Sequence, residues 1–491
     1  MSAPDFDVLI IGAGLAGVGA ACHVTRSLPH KSLALLERRE HLGGTWDLFR
    51  YPGIRSDVDM LTLGYGFRPW RSPDIVARGD KIRQYIADTA AEFGIAEKIL
   101  YGFKVLSAEW STTHCRWTVN AVHEATGEIR HYSCGFLINC TGYYNYDVGY
   151  LPDFPGADQF NGRFVHTQHW PQDLDYTGMR VVVIGSGATA VTVVPAMASG
   201  AEHVTMLQRS PSYVMSLPAF DKVSEFLGRV LPEETVYGLA RKRNIVMQRK
   251  VYLACRRWPR LSRRLLLRHV RRRVGPSIDM RHFTPRYMPF DERLCVASDG
   301  DFFKAVKSGS ASIVTDEIER FTENGILLKS GCELEADLIV AATGLNLQFL
   351  GGMQLTVDGV PCDPSTRMTY KSVLVEDVPN FAWLFGYINA AYTLKADIAS
   401  AYLCRLLKHM DDNAFAVARP CDSNACSTAA SVMDDLHSGY IRRAQNLLPR
   451  QGSAVPWKVL MHYEKDCRLL LEDPIDDGIL SFSGAPVGAV A

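Results

Sequence analysis

Two stretches of the chain share one hydrophobic pattern: a short continuous apolar run, a glycine-rich turn, then a helix of small residues. The first run, Asp7-Val8-Leu9-Ile10-Ile11, is too short for a helix and lacks polar alternation, which predicts a buried parallel strand. It enters Gly12-Ala13-Gly14-Leu15-Ala16-Gly17 and an alanine-rich helix through about Val24, and Ser32-Leu33-Ala34-Leu35-Leu36 predicts a second strand ending at Glu37. The second run, Arg180-Val181-Val182-Val183-Ile184, leads into Gly185-Ser186-Gly187-Ala188-Thr189-Ala190 and a strand His203-Val204-Thr205-Met206-Leu207. Val181–Ala201 is uncharged and long enough to raise the question of a membrane span, but Gly185, Ser186, Gly187, Thr189, Thr192 and Pro195 interrupt it. A buried strand, turn and helix accounts for it better. Two further apolar strands, Phe136–Asn139 and Leu338–Val340, run into Cys140-Thr141-Gly142 and Ala342-Thr343-Gly344.

Each glycine in these turns has a physical task. Gly12 permits the tight turn, Gly14 lets backbone approach a pyrophosphate, and Gly17 lets helix and strand pack closely. The helix N-terminus offers unpaired N–H groups to the phosphates. Glu37, 20 residues beyond Gly17, stands where a carboxylate accepts ribose hydroxyls. In the second turn Gly185 and Gly187 play the same parts, and Ala190 is an accepted third residue. The strand after it ends in Gln208-Arg209-Ser210, with no carboxylate to repel a 2′-phosphate and a guanidinium able to bind one. The expectation is FAD at the first turn and NADPH at the second. A solvated strand-end charge is the alternative for Arg209.

Composition adds limits. The 491 residues hold 53 lysines and arginines against 53 aspartates and glutamates, so no overall charge points to nucleic acid. Twelve cysteines include no Cys-x-x-Cys pair, which argues against a disulfide reductase of related fold and fits a reduced, cytoplasmic protein. The N-terminus lacks a basic stretch followed by an apolar core, so no signal peptide is expected.

Between the two turns, Phe160-Asn161-Gly162-Arg163-Phe164-Val165-His166-Thr167-Gln168-His169-Trp170-Pro171 fits Phe-x-Gly-x-x-x-His-x-x-x-Trp-Pro throughout. Upstream, Gly43-Gly44-Thr45-Trp46, Tyr51-Pro52-Gly53 and Asp57 fit a companion motif. Both resemble the type I Baeyer–Villiger monooxygenases, a branch of the flavin-containing monooxygenases, and a mycobacterial subgroup of that branch in particular. The resemblance covers essentially the whole chain.

That resemblance implies an α/β fold with two Rossmann-like dinucleotide-binding domains and a helical insertion. It implies a discontinuous FAD domain (1–145 and 335–491), an NADPH domain (146–215 and 286–334) and a basic insertion (216–285). Arg293 falls where the family carries an arginine that stabilises a peroxide anion and the oxyanion formed on a ketone. Asp57 falls where a carboxylate positions it. Gly44, Thr45 and Trp46 would contact FAD, although core packing serves equally well for Trp46. Phe160, Gly162, His166, Trp170 and Pro171 form the family fingerprint, with His166 and Trp170 coupling the nucleotide domains. Thr393 and Leu394, opening a helix through Leu407, would turn its positive end toward the flavin. Many relatives carry a lysine before the catalytic arginine; here Glu292 stands there, leaving the 2′-phosphate to Arg209. The implied reaction uses NADPH and O2 to insert oxygen into hydrophobic ketones or to oxygenate sulfur compounds, with a link to envelope lipids. An N- or S-oxygenating monooxygenase and a non-enzymatic nucleotide-binding membrane scaffold stand as alternatives.

The charge balance is local as well as global. Residues 222–273 hold sixteen lysines and arginines against three glutamates, a local excess of +13 that leaves −13 elsewhere. Trp258, Leu261, Leu265, Leu266 and Val270 recur at helical spacing beside the arginines. Such a stretch can rest on an anionic membrane at the inner face of the cell. The plainer expectation is an insertion whose apolar stripe packs on the NADPH domain while its charges are solvated.

Overall fold

The computed structural model describes residues 3–292, 294–422, 426–434 and 438–484. The first apolar run forms strand β1 (Phe6–Ile11), and its glycine turn opens helix α1 (Leu15–Ser27). Strand β2 (Leu33–Glu37) lies parallel to β1, from Val8 opposite Leu33 to Ile11 opposite Leu36. Every residue of β2 and the last four of β1 are buried, which explains their unbroken apolar pattern. After a one-turn helix α2 (Met60–Leu63), strand β3 (Ile99–Tyr101) extends the sheet beyond β2.

An antiparallel meander of β4 (Phe103–Ser111), β5 (Arg116–His123) and β6 (Ile129–Asn139) follows. The end of β6 pairs with β1, Phe136 facing Val8, so the expected strand at 136–139 is the buried tip of an eleven-residue one. Its beginning escaped the hydrophobic pattern because Ile129–His131 is exposed.

Strand β7 (Tyr144–Gly149) then carries the chain into a second, five-stranded sheet. That sheet contains β8 (Arg163–His166), β9 (Arg180–Ile184), β10 (His203–Gln208), β11 (Ala311–Thr315) and β12 (Leu338–Ala341). All are parallel, in the order β11-β10-β9-β12-β8, with helix α3 (Ala188–Met197) following the second glycine turn. The uncharged stretch from Val181 to Ala201 is therefore β9, a turn and α3; no helix among the described residues is long and apolar enough to cross a membrane.

The chain returns through β13 (Leu345–Leu347), which pairs antiparallel with β7. Outgoing and returning segments thus form one two-stranded ribbon joining the sheets. Back in the first, eleven-stranded sheet, β14 (Gln354–Val357) pairs with β4 and β15 (Phe381–Trp383) with the end of β6. Helix α7 (Tyr392–Asp412), labelled after the three helices of the insertion, packs on α1. The expected α/β class with two Rossmann-like units and a helical insertion is what the chain adopts.

The insertion comprises α4 (Lys222–Leu227), α5 (Glu233–Arg257) and α6 (Pro259–Val274). Its packing differs from expectation. The long α5 docks on α2, in the first unit, while α6 lies against the second unit. Of the stripe expected to be covered, Val270 is buried and Trp258, Leu261 and Leu265 are exposed. Six of the twelve cysteines are buried as small core residues.

Candidate active site

The two glycine turns repeat one contact. A Cβ on Gly12 would sit 2.7 Å from the Cys140 carbonyl oxygen, and one on Gly185 would sit 2.3 Å from that of Ala342. Both glycines have positive φ, +98° and +145°. Cys140-Thr141-Gly142 and Ala342-Thr343-Gly344 thus close directly onto the two turns. Gly17 does the packing work expected of it: its Cβ would fall 1.8 Å from the Gly12 oxygen. Ala190 in the corresponding place is fully buried. Gly17 and Ala190 therefore act through packing, and neither lines the cavity below.

Glu37 is buried at the end of β2, where one carboxylate oxygen accepts from the Ala13 N–H at 2.7 Å and the other from the Arg39 N–H at 2.9 Å. Burial lifts its carboxyl above the ordinary glutamate range despite those two donors. The Gly43-Gly44 turn approaches Gly14 so closely that a Cβ on Gly44 would lie 3.0 Å from the Gly14 Cα. Thr45 and Trp46 begin a one-turn helix there. Asp47, almost fully buried, holds this turn by accepting from Arg39 Nε at 2.8 Å, from Arg83 Nη1 at 3.3 Å and from Arg50.

Tyr51-Pro52-Gly53 has a task the sequence did not disclose. A Cβ on Gly53 would meet the Ala196 Cβ at 2.7 Å and the Thr192 oxygen at 3.0 Å. This motif seats the first nucleotide unit on α3 of the second. Gly53 has φ +76°, so only glycine combines that backbone with that approach.

At the second site Gln208 is buried, and its amide donates to the His282 carbonyl at 2.8 Å and to Thr315 Oγ1 at 2.9 Å. It is a framework residue. Arg209 and Ser210 beyond it are exposed, and Arg209 makes no hydrogen bond or ion pair among the described residues.

One cavity of about 1530 Å³ runs between the units and is lined from both turns. Gly12, Gly14, Glu37, Gly44, Thr45, Trp46 and Asp57 line it from the first unit; Gly185, Gly187, Arg209 and Ser210 line it from the second. A pocket for one drug-sized ligand takes about 300–1,000 Å³, so this one has room for more than a single cofactor. No side chain stands within 4 Å of where a Gly187 Cβ would lie, so a phosphate can reach the start of α3. The glycine-walled turns and the buried Glu37 fit a dinucleotide at the first site, and the turn with Arg209 fits one at the second.

Some expected residues lie elsewhere. Thr393 and Leu394 are fully buried outside the cavity lining, with the Thr393 hydroxyl donating to the Leu63 carbonyl. Ala390 and Tyr392 face the cavity instead. None of Phe160, Gly162, His166, Trp170 and Pro171 lines it. Phe160 packs over Gly162 and against Phe321, 6.4 Å between ring centroids. His166 ends β8 beside the connecting ribbon: its Nδ1 accepts from the Gln168 N–H at 3.1 Å, and Gln168 Nε2 donates to the Asn145 carbonyl at 2.8 Å. Burial holds the His166 imidazole below the ordinary histidine range. Trp170 is half-buried against the core of the second unit.

Arg293 lies outside the described residues; its neighbours Glu292 and Leu294 both line the cavity. Phe290, also on the wall, has φ +68°, a conformation a bulky side chain rarely adopts. Its ring meets Tyr252 of α5 edge-on at 5.3 Å.

Sequence reasoning missed the wall that α5 contributes. Asp59 Oδ1 accepts from Asn244 Nδ2 at 3.0 Å and from the Thr62 N–H at 3.0 Å, and its other oxygen accepts from Gln248 Nε2. Asn244 and Gln248 line the cavity. Arg241 Nη1 adds hydrogen bonds to the carbonyls of Leu61 at 2.9 Å and Gly64 at 2.6 Å. The available signal was the i, i+4 spacing of two neutral amides within a basic helix.

Comparison with known proteins agrees with this arrangement. Residues 69–226 match the flavin-binding monooxygenase-like family, and residues 10–77 match the NAD(P)-binding Rossmann-like domain. The chain is 66% identical over 484 residues to the FAD-containing monooxygenase MymA of Mycobacterium tuberculosis, covering 98% of each. It is 49% identical over 489 residues to the FAD-containing monooxygenase EthA of the same organism, covering 98% of this chain and 99% of EthA. The solved structure of OTEMO in complex with FAD and NADP superposes with a TM-score of 0.76 at 19% identity, over 98% of this chain and 100% of that one, a likeness of fold. With two dinucleotide turns opening into one cavity and such identity along nearly its whole length, the chain belongs to the FAD-containing monooxygenases of the flavin-binding monooxygenase family.

Proposed function

We propose that the protein uses NADPH and O2 to insert one oxygen atom into hydrophobic ketones, forming esters or lactones, and that sulfur compounds are a second substrate class. The observation that carries this reading is the single cavity lined by both glycine turns, by Asp57 and by both neighbours of Arg293. When bound, FAD supplies the oxygen-transfer chemistry and NADPH the hydride that drives it.

The chain's own residues bind, orient and stabilise. The start of α1 receives the FAD pyrophosphate on backbone N–H groups, and Glu37 accepts from its ribose. The exposed Arg209 binds the 2′-phosphate of NADPH. Asp57 and Arg293 act as a pair, the carboxylate orienting a guanidinium that stabilises the oxyanion formed on the ketone carbonyl. The α5 wall and the aromatic side chains of Tyr252, Phe290 and Tyr387 exclude water from that charge. Tyr146 also faces the cavity, and burial pushes its hydroxyl up to about 12, so it donates hydrogen bonds as a neutral phenol at working pH.

Purified Arg293→Ala, compared with wild type on a ketone and on a thioether, tests the assignment. The expected outcome is flavin reduction by NADPH at the wild-type rate with ester formation lost by about a hundredfold or more. Ester formed at the wild-type rate removes Arg293 from its role. A wild-type enzyme that oxygenates the thioether but no ketone replaces the Baeyer–Villiger reading with a sulfur-oxygenating one.

A further inference from the structure

The insertion leaves an unusual surface uncovered. Of the large apolar side chains that are exposed among the described residues, thirteen of twenty-one fall within 220–265. They include Phe226 at 65%, Val230 at 74% and Trp258 at 59% exposure. A patch of this density is far from the scatter of single apolar residues normal on a protein surface.

The pattern on α5 is ordered. At 100° per residue, Leu239, Lys242, Val246, Lys250, Leu253 and Arg257 fall on one stripe, and each is exposed. Turning around the helix from that stripe brings Met247 and Val251, then Asn244 and Gln248. Met247 and Val251 are both exposed and cavity-lining, so they form a lip. Phe220 and Val223, before and within α4, share that double position. A shallow groove along α5, lined by Leu239, Lys242, Val246 and Lys250 among others, shares Met247 and Val251 with the main cavity. The exposed surface along α5, apolar side chains alternating with cations, therefore meets the rim of the candidate active site at Met247 and Val251.

Charge identifies what covers it. Lys242, Lys250, Arg257, Arg260, Arg264 and Arg268 are exposed and have no ion-pair partner among the described residues. Cations interleaved with outward apolar side chains repel a second copy of the same face. They suit a surface that offers both anionic headgroups and hydrocarbon.

We propose that 220–265 docks on an anionic lipid bilayer and that apolar substrate passes from the bilayer into the cavity between Phe220 and Val223 on one side and Met247 and Val251 on the other. The delivery half rests on the ketone-oxidising reading above; the docking half does not. The insertion is then an access device: it holds the mouth of the cavity against the phase in which a hydrophobic ketone dissolves.

The test uses the FAD-loaded full chain and vesicles of phosphatidylcholine with about 30% phosphatidylglycerol. Wild type is expected to float with these vesicles at low salt, and to stay behind with pure phosphatidylcholine or at high salt. Lys242→Glu/Lys250→Glu and Leu253→Ser/Leu261→Ser, all outside the cavity lining, should each reduce flotation by about tenfold. The same variants should lose about fivefold or more of the rate on a long-chain ketone held in the vesicles, and keep the rate on a water-soluble ketone. Wild type that fails to float at low salt overturns docking, as does self-association abolished by Leu253→Ser without vesicle binding. Flotation with equal losses on both ketones overturns delivery. Flotation with neither ketone oxidised supports docking and overturns the ketone reading instead.

Discussion

The imidazole of His166 occupies the space that a side chain at Gly149 would need: a Cβ there would lie 2.1 Å from His166 Cε1 and 2.6 Å from its Nδ1. Gly149 ends the outgoing strand of the connecting ribbon, and His166 ends a strand of the second sheet. The family histidine therefore grips the joint between the two nucleotide units. It stands outside the cavity where oxygen would be transferred.

Gly149→Ala should break this grip. The new methyl overlaps the imidazole ring, which must shift, at a cost of about 1–3 kcal/mol. Thermal melting should drop accordingly, and NADPH-driven flavin reduction should slow more than FAD binding weakens. A variant with wild-type melting and reduction would show that the joint does not need the contact.

His166 also predicts a pH dependence. Its folded imidazole is held below the ordinary range by burial, so the unfolded chain takes up this proton first, near pH 6.5. The stability it contributes is whole above about pH 6.5 and is lost as pH falls through the depressed folded value. Wild type should therefore lose more of its melting temperature between about pH 7.5 and 5.5 than His166→Gln does. Equal losses would mean that His166 is not a titrating element of the fold.

Arg209 should decide between the two nicotinamide cofactors. Removing a charge-assisted bidentate contact costs about 1.5–3 kcal/mol, so Arg209→Ala should raise the KM for NADPH about tenfold to a hundredfold and leave NADH nearly unchanged. Steady-state kinetics with both coenzymes reads this directly. An unchanged NADPH preference would move the 2′-phosphate to another group.

Asp59→Ala should loosen the cavity wall. It leaves Asn244 Nδ2 without its acceptor, at a cost of about 1–3 kcal/mol, and leaves Gln248 Nε2 and the Thr62 N–H one acceptor each, Thr62 Oγ1 and the backbone carbonyl of residue 59. Trypsin should then cut between Arg241 and Lys250 at least about tenfold faster, with Asp59→Asn partly restoring protection. Cleavage at the wild-type rate would show that α5 is held by its apolar contacts alone.

The chain's local order determined a good deal by itself. Continuous apolar runs specify strands buried on both faces, and glycine spacing specifies turns only a glycine backbone can make. Gly12, Gly14, Glu37, Gly185 and Arg209, all of which line the one cavity, could therefore be picked out from local order, because each lies within about thirty residues of its strand. Tertiary structure alone decided the rest. Asp59 meets Asn244 and Gln248 across more than 180 residues, and Gly53 meets Ala196 across more than 140. Thr393, at the opening of a well-forecast helix, turned out to give its hydroxyl to Leu63. Such pairings leave no periodicity in the chain, since their geometry is set by how separately folded layers come to rest on one another.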